Sequence, residues 1–124
     1  MTRNRASARK AGTAFETQIA TTLATHLDDD RIERRAKTGA KDRGDIGGVR
    51  VHGQRVVLEC KNTARTDLAR WAREAHDEAG NDDALVGLVV HKRHGNAQGL
   101  DQWVTCTVAD LIALLTGRRP EEDQ

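Results

Sequence analysis

The sequence predicts a single α/β domain, and three observations predict it. Apolar residues recur every four positions at Phe15, Ile19, Leu23 and Leu27; a hairpin pattern occupies 46–61; and a near-continuous apolar run fills 84–91. The first is one stripe of an amphipathic helix, the second a pair of antiparallel strands, the third a strand covered on both faces. A chain of 124 residues fits one domain and can bury a core without disulfide or metal staples. The expected organisation is a basic, disordered tail over 1–11, one domain over 12–117, and a frayed tail over 118–124.

In order, the first helix is expected from Ala14 to Leu27. Thr13 is placed as its cap, with Glu16 three residues on at capping-box spacing. Asp28, Asp29 and Asp30 end it in a polar turn. A short strand over Arg31 to Arg35 leads into a loop, Ala36 to Gly44, rich in Lys, Gly and Arg. The hairpin follows: Ile46 to Val51, a His52-Gly53 turn, then Gln54 to Lys61. Next comes a helix from about Asp67 to Ala79, capped by Thr66, with Leu68, Trp71, Ala72, Ala75 and Ala79 on one face and Gly80-Asn81 as its stop. Ala84 to His91 is the covered strand. Lys92 to Gln102 reads as a loop, Trp103 to Thr107 as a strand, and Val108 to Leu115 as a helix capped by Thr107, with Asp110 three residues later.

Composition narrows the function. Apolar residues make up 37% and charged residues 31%, and the only aromatics are Phe15, Trp71 and Trp103. So few aromatics argue against base-stacking recognition of single strands. No apolar run approaches the ~18 residues that span a bilayer, and no apolar stretch follows the basic N-terminus as in a secretory signal. Cys60 and Cys106 form no disulfide framework and lack zinc-ligand spacing, as expected of a reducing cytosol.

Net charge is only +1, yet residues 31–65 hold ten Lys/Arg against four acids, and residues 66–90 hold two against six. A basic segment with embedded acids suits a polyanion-binding face with chemistry inside it, although an ordinary solvated surface gives the same count.

The chemistry centres on Leu58-Glu59-Cys60-Lys61. Side chains alternate along a strand, so Glu59 and Lys61 share one face while Leu58 and Cys60 can enter the core. A charge on a strand otherwise built for burial is costly without a partner or metal. With the hairpin turning at His52-Gly53, Asp45 arrives close to the level of Glu59 and Lys61. Two carboxylates that can hold magnesium beside a phosphate, with a lysine to stabilise developing charge or deprotonate a water, suit phosphodiester hydrolysis. Glu59-x-Lys61 alone is equally an ion pair on an exposed strand; Asp45 at hairpin distance is what favours a site. Glu16 is either a fourth member or a helix-capping acid. Arg34, Arg35, Lys37, Lys41 and Arg43 are candidate phosphate contacts.

The spacing Asp-x(13)-Glu-x-Lys after a Glu-bearing helix resembles the PD-(D/E)xK nuclease superfamily, and within it the archaeal-type and phage Holliday-junction resolvases. The matching stretches are Gly12 to Glu16, Arg34-Arg35 with the basic loop after them, Gly44-Asp45-Ile46, and Val57 to Asn62. The likeness covers roughly residues 11–92 and departs where Gly44 replaces the proline before the aspartate. It implies an αβββαβ core with a central mixed sheet flanked by helices. It also implies Mg2+ (or Mn2+) held by Asp45, Glu59 and the Cys60 carbonyl, a catalytic Lys61, and Glu16 as a further metal or water ligand. The implied partners are branched DNA and a second copy of the chain, because symmetric cleavage of a junction needs two active sites; the implied setting is the cytoplasm of a bacterial or archaeal cell, or a phage genome. Trp71 and Trp103 are expected to be hard to hide in one small core, which also favours a homodimer. The alternatives are another nuclease of this type (a repair nickase or restriction-like enzyme), a non-cleaving DNA-binding module of the same fold, and a protein partner using the acidic helix 67–83.

Overall fold

The hairpin organises the molecule. The computed structural model describes residues 4–36 and 42–120, so Lys37 and Lys41 lie outside the described residues. Its elements are α1 (Arg5–His26), β1 (Glu33–Arg34), β2 (Ile46–Gly47), β3 (Arg50–Val51), β4 (Gln54–Lys61), α2 (Leu68–Asn81), β5 (Val86–His91), β6 (Trp103–Thr105) and α3 (Val108–Thr116). They form an α/β domain with a mixed six-stranded sheet, ordered β1-β2-β4-β5-β6, with β3 also paired to β4.

β4 is antiparallel to β2 and β3 and parallel to β5, with α2 as the crossover. Its neighbours explain its composition. Val56, Leu58 and Cys60 face the layer built by Phe15, Ile19, Ile46, Val90 and Ala113, so α1 and α3 cover that side. Trp71, Ala75 and Val89 form a second cluster, which places α2 on the other side with Glu59 and Lys61. Burying apolar side chains there contributes about 1.5–3 kcal/mol each.

Two expectations about the ends are corrected. α1 starts at Arg5, not near Ala14, and Asn4 caps it by accepting the Ser7 N–H at 2.8 Å. Thr13 is therefore inside the helix, and Glu16 is no capping-box acid. The early turns are exposed, so they carry no apolar stripe for periodicity to detect, while Arg, Ala and Lys favour helix on their own account. At the other end, Arg119 pairs with the buried Asp110, so the tail expected to fray from 118 is held at Arg119, while its residues 121–124 lie outside the described residues. Smaller shifts follow: Asp67 rather than Thr66 precedes α2, whereas Thr107 and Asp110 do form the expected capping box of α3. Trp71 is buried inside one chain; Trp103 is half exposed on the edge strand, with Arg93 4.6 Å above its ring. Among the described residues, no helix is long and apolar enough to cross a membrane.

Candidate active site

One extra residue in the first hairpin arm sets the site. β3 pairs Val51 with Gln54 and Arg50 with Arg55, but β2 pairs Ile46 with Leu58, so the register steps by one between them. The step is a β-bulge at Gly48, whose φ is +93° and where an added Cβ would stand 2.4 Å from the Arg31 carbonyl oxygen. Without it, Ile46 would face Glu59 and Asp45 would fall on the Cys60 side. With it, Ile46 enters the core opposite Leu58, and the Asp45 side chain adjoins Glu59.

Asp45 is held on every side. Its N–H donates to the Leu58 carbonyl at 2.9 Å, its carbonyl accepts the Arg35 N–H at 2.7 Å, and its Oδ2 accepts the Cys60 N–H at 2.8 Å. Gly44 precedes it with φ +95°, which proline cannot adopt and which strains any other residue. The glycine that departs from the family pattern is thus required by the local backbone. Arg35, expected to contact phosphate, donates to the Arg43 carbonyl at 2.7 Å and lies 3.6 Å from Asp82, bracing the chain that enters Asp45. Arg43 itself is exposed.

Glu59 is only 5% exposed. Burial, then the adjoining Asp45 and Glu78 carboxyls, push its pKa up to about 11, which favours its protonated form in the metal-free protein. Lys61 donates to Glu74 Oε2 at 2.6 Å and lies 4.0 Å from Glu59. Burial disfavours its charge, but the Glu74 hydrogen bond and the nearby carboxylates outweigh this and raise its pKa. Lys61 is therefore a firm cation, suited to stabilising anionic charge and poorly suited to accepting a proton.

Glu16 Oε1 accepts from Arg34 at 3.2 Å, and its charge lies close enough to Cys60 to help raise that thiol's pKa, although Glu16 does not belong to the Asp42, Glu59 and Glu78 group. The Cys60 side chain packs against the core, and burial raises the thiol pKa, which rules against a nucleophilic role.

Three acids join the site from outside the sequence motif. Asp42 and Glu78 each bring a carboxylate oxygen within 4.8 Å of the others and of Glu59, and Glu74 holds Lys61. Glu74 and Glu78 are one turn apart, beside the buried Trp71 and Ala75 positions. That adjacency was visible in the sequence as acids flanking an apolar stripe. The oxygens are hard donors, with no thiol or imidazole among them, and Glu78 Oε2 is buried without a hydrogen-bond partner. This donor set fits magnesium, manganese or calcium better than zinc. No family model, curated protein or solved structure matches the chain.

Proposed function

We propose that the chain is a metal-dependent DNA endonuclease of the PD-(D/E)xK type that cuts branched DNA, in the manner of a Holliday-junction resolvase. The observation that carries this reading is the bulge-set convergence of Asp45, Glu59 and Lys61 on one face at the end of β4. Asp45, Glu59 and the Cys60 carbonyl would hold Mg2+ or Mn2+, which when bound supplies Lewis-acid stabilisation of the phosphate and a more acidic water. The chain's own residues do the rest. Lys61, kept cationic by Glu74, stabilises charge that develops on the phosphate oxygens. Asp45 keeps its position through the Leu58, Arg35 and Cys60 backbone bonds. Exposed Arg34 and Arg43, with Lys37 and Lys41, supply phosphate contacts that fix position without reading bases.

Two further features support this reading over a protein-docking role for the acidic helix. Glu74 and Glu78 of α2 turn toward Lys61 and Glu59 and so are not offered to a partner. The open edge strand β6 and α3 expose Val104, Val108, Leu111 and Leu115 on the α3 side of the sheet, a set suited to a second copy of the chain. The test is cleavage of a four-way junction, a flap, a duplex and a single strand, each with magnesium or with chelator. Metal-dependent paired nicks in the junction are expected. No cleavage of any DNA by folded protein would end the nuclease reading, and equal cleavage of duplex and junction would remove only the resolvase part. Sedimentation is expected to give a dimer at micromolar concentration, and Val108→Glu with Leu115→Glu to give a monomer.

A further inference from the structure

A second feature of the acid cluster reaches beyond the catalytic motif, which supplies only Glu59 to it. Asp42 comes from the loop before β2, Glu59 from β4 and Glu78 from α2, and their oxygens all lie within 4.8 Å of one another. Two of the three are almost fully enclosed, Glu59 at 5% and Glu78 at 6% exposure. Like charges so close repel, and burial removes the water that would screen them. Elsewhere in the fold, buried acids are met by cations: Asp82 by Arg35 and Arg55, Asp110 by Arg119. Among the described residues no ammonium or guanidinium reaches Glu78, and its Oε2 has no donor at all. The Lys61 ammonium, 4.0 Å from Glu59, donates to Glu74. A buried carboxylate oxygen aimed among other carboxylates and left without a donor is the arrangement a cation completes.

We propose that Asp42, Glu59 and Glu78 bind a divalent cation, Mg2+ or Mn2+, with Glu59 shared between this ligand set and the one that Asp45 and the Cys60 carbonyl would complete. The ligands come from a loop, a strand and a helix, so the ion clamps α2 and the Asp42 segment to β4. It also makes helix α2 a contributor of metal ligands, a role the Asp-x(13)-Glu-x-Lys motif does not contain. The site stands on these carboxylates alone; its use in strand cleavage rests on the nuclease reading.

The experiment is a calorimetric titration of the full chain with Mn2+, and separately with Mg2+, in the absence of DNA. Manganese paramagnetic resonance gives the bound fraction, and thermal melts check folding. The wild type is expected to bind Mn2+, with Glu78→Gln weakening binding at least tenfold and the melting shift on metal addition shrinking accordingly. Asp42→Ala, at the half-buried loop position, is expected to give the same loss and decides the matter if Glu78→Gln does not fold. Wild-type affinity in both folded variants, or no Mn2+ binding by the wild type at millimolar concentration, would overturn the site. Parallel assays of plasmid nicking separate the two readings. Glu78-dependent Mn2+ binding without nicking removes the nuclease and keeps the site; nicking with Glu78-independent binding does the reverse.

Discussion

Asp110 and Glu59 are both buried carboxylic acids, yet the fold treats them in opposite ways. Asp110 has no exposed surface, but it accepts from His76, from Arg119, and from both the N–H and the hydroxyl of Thr107. Burial opposes its charge, and these donors together outweigh burial, so its pKa is lowered. Glu59 is as deeply enclosed but is surrounded by Asp45, Glu78 and Asp42, with only Lys61 at 4.0 Å on the other side of the balance. Burial and like charge then act together, and its pKa rises. The first acid is satisfied by the protein and belongs to the fold. The second lacks such a set of donors, and perturbed groups of this kind concentrate at functional sites.

The sharpest way to break the comparison is to neutralise each acid. Glu59→Gln and Asp45→Asn are each expected to reduce metal-dependent nicking by about 10³-fold or more, which corresponds to several kcal/mol of transition-state stabilisation. Glu59→Gln should leave the chemical-denaturation midpoint near pH 7.5 unchanged or raised, since the amide needs no proton to be buried. Nicking at the wild-type rate by Asp45→Asn would show that the active site is elsewhere.

Asp110→Ala should do the opposite. The α3 capping box is lost together with the bonds to His76 and Arg119, so a destabilisation of about 2–3 kcal/mol is expected, with specific activity retained in the folded fraction. A urea midpoint within error of wild type would mean that the Asp110 network contributes little.

Gly48→Ala tests how the site is assembled. A β-carbon there meets the Arg31 carbonyl oxygen at 2.4 Å and a backbone φ of +93°, so strain of about 1–3 kcal/mol is expected. Relief by removing the bulge would turn Asp45 away from Glu59, so nicking should fall far more than the stability loss accounts for. Proportional losses of the two would mean that the bulge serves stability alone.

This dependence on one bulge explains how much could be read in advance. The order of elements, the hairpin turn and the α3 cap were legible because each rests on local chemistry: His52 and Gly53 both take positive φ, and Thr107 and Asp110 lie three residues apart. Glu59 and Lys61 were legible on one face from alternation, and the level of Asp45 from hairpin spacing. The face of Asp45 was not, because an uninterrupted ladder sets Ile46 opposite Glu59 and Asp45 on the Cys60 side, and only the bulge reverses this. Glu74 and Glu78 escaped because they reach the site through the packing of α2 on β4, and Asp42 because it meets Glu78 from the loop before β2, tertiary contacts with no fixed spacing from the motif. The exposed first turns of α1 escaped because a solvated helix has no apolar period.

The smallest effect is the most direct measure of the contrast between the two acids, because it needs no substitution. A carboxyl whose folded pKa is raised binds more protons folded than unfolded, so its contribution is fully present below the unfolded value and is lost as pH rises toward the folded one. For Glu59 that window runs from 4.5 up to about 11. Glu78, pushed up to about 7 chiefly by burial, acts in the same direction over the lower part of that window. Asp110 has the opposite sign: its contribution is present above the ordinary value of 3.8 and is lost only on acidification, so it is flat at neutral pH. His91, lowered from 6.5 by burial, gains stability as pH rises to that value and is flat above it. Cys60 and Cys106, both raised from 9.0, act only near and above that pH. Between about pH 7.5 and about pH 8.5 Glu59 is therefore the governing group. Stability in chelator should fall by roughly 1 kcal/mol per pH unit, the value of one proton. Millimolar Mg2+ should flatten the slope, because an ion-bound carboxylate is deprotonated in the folded state as well. Urea midpoints measured across that interval, with and without magnesium, decide it. A flat line in chelator would mean that Glu59 is already ionised and compensated in the folded protein, as Asp110 is, and the contrast between the two acids would disappear.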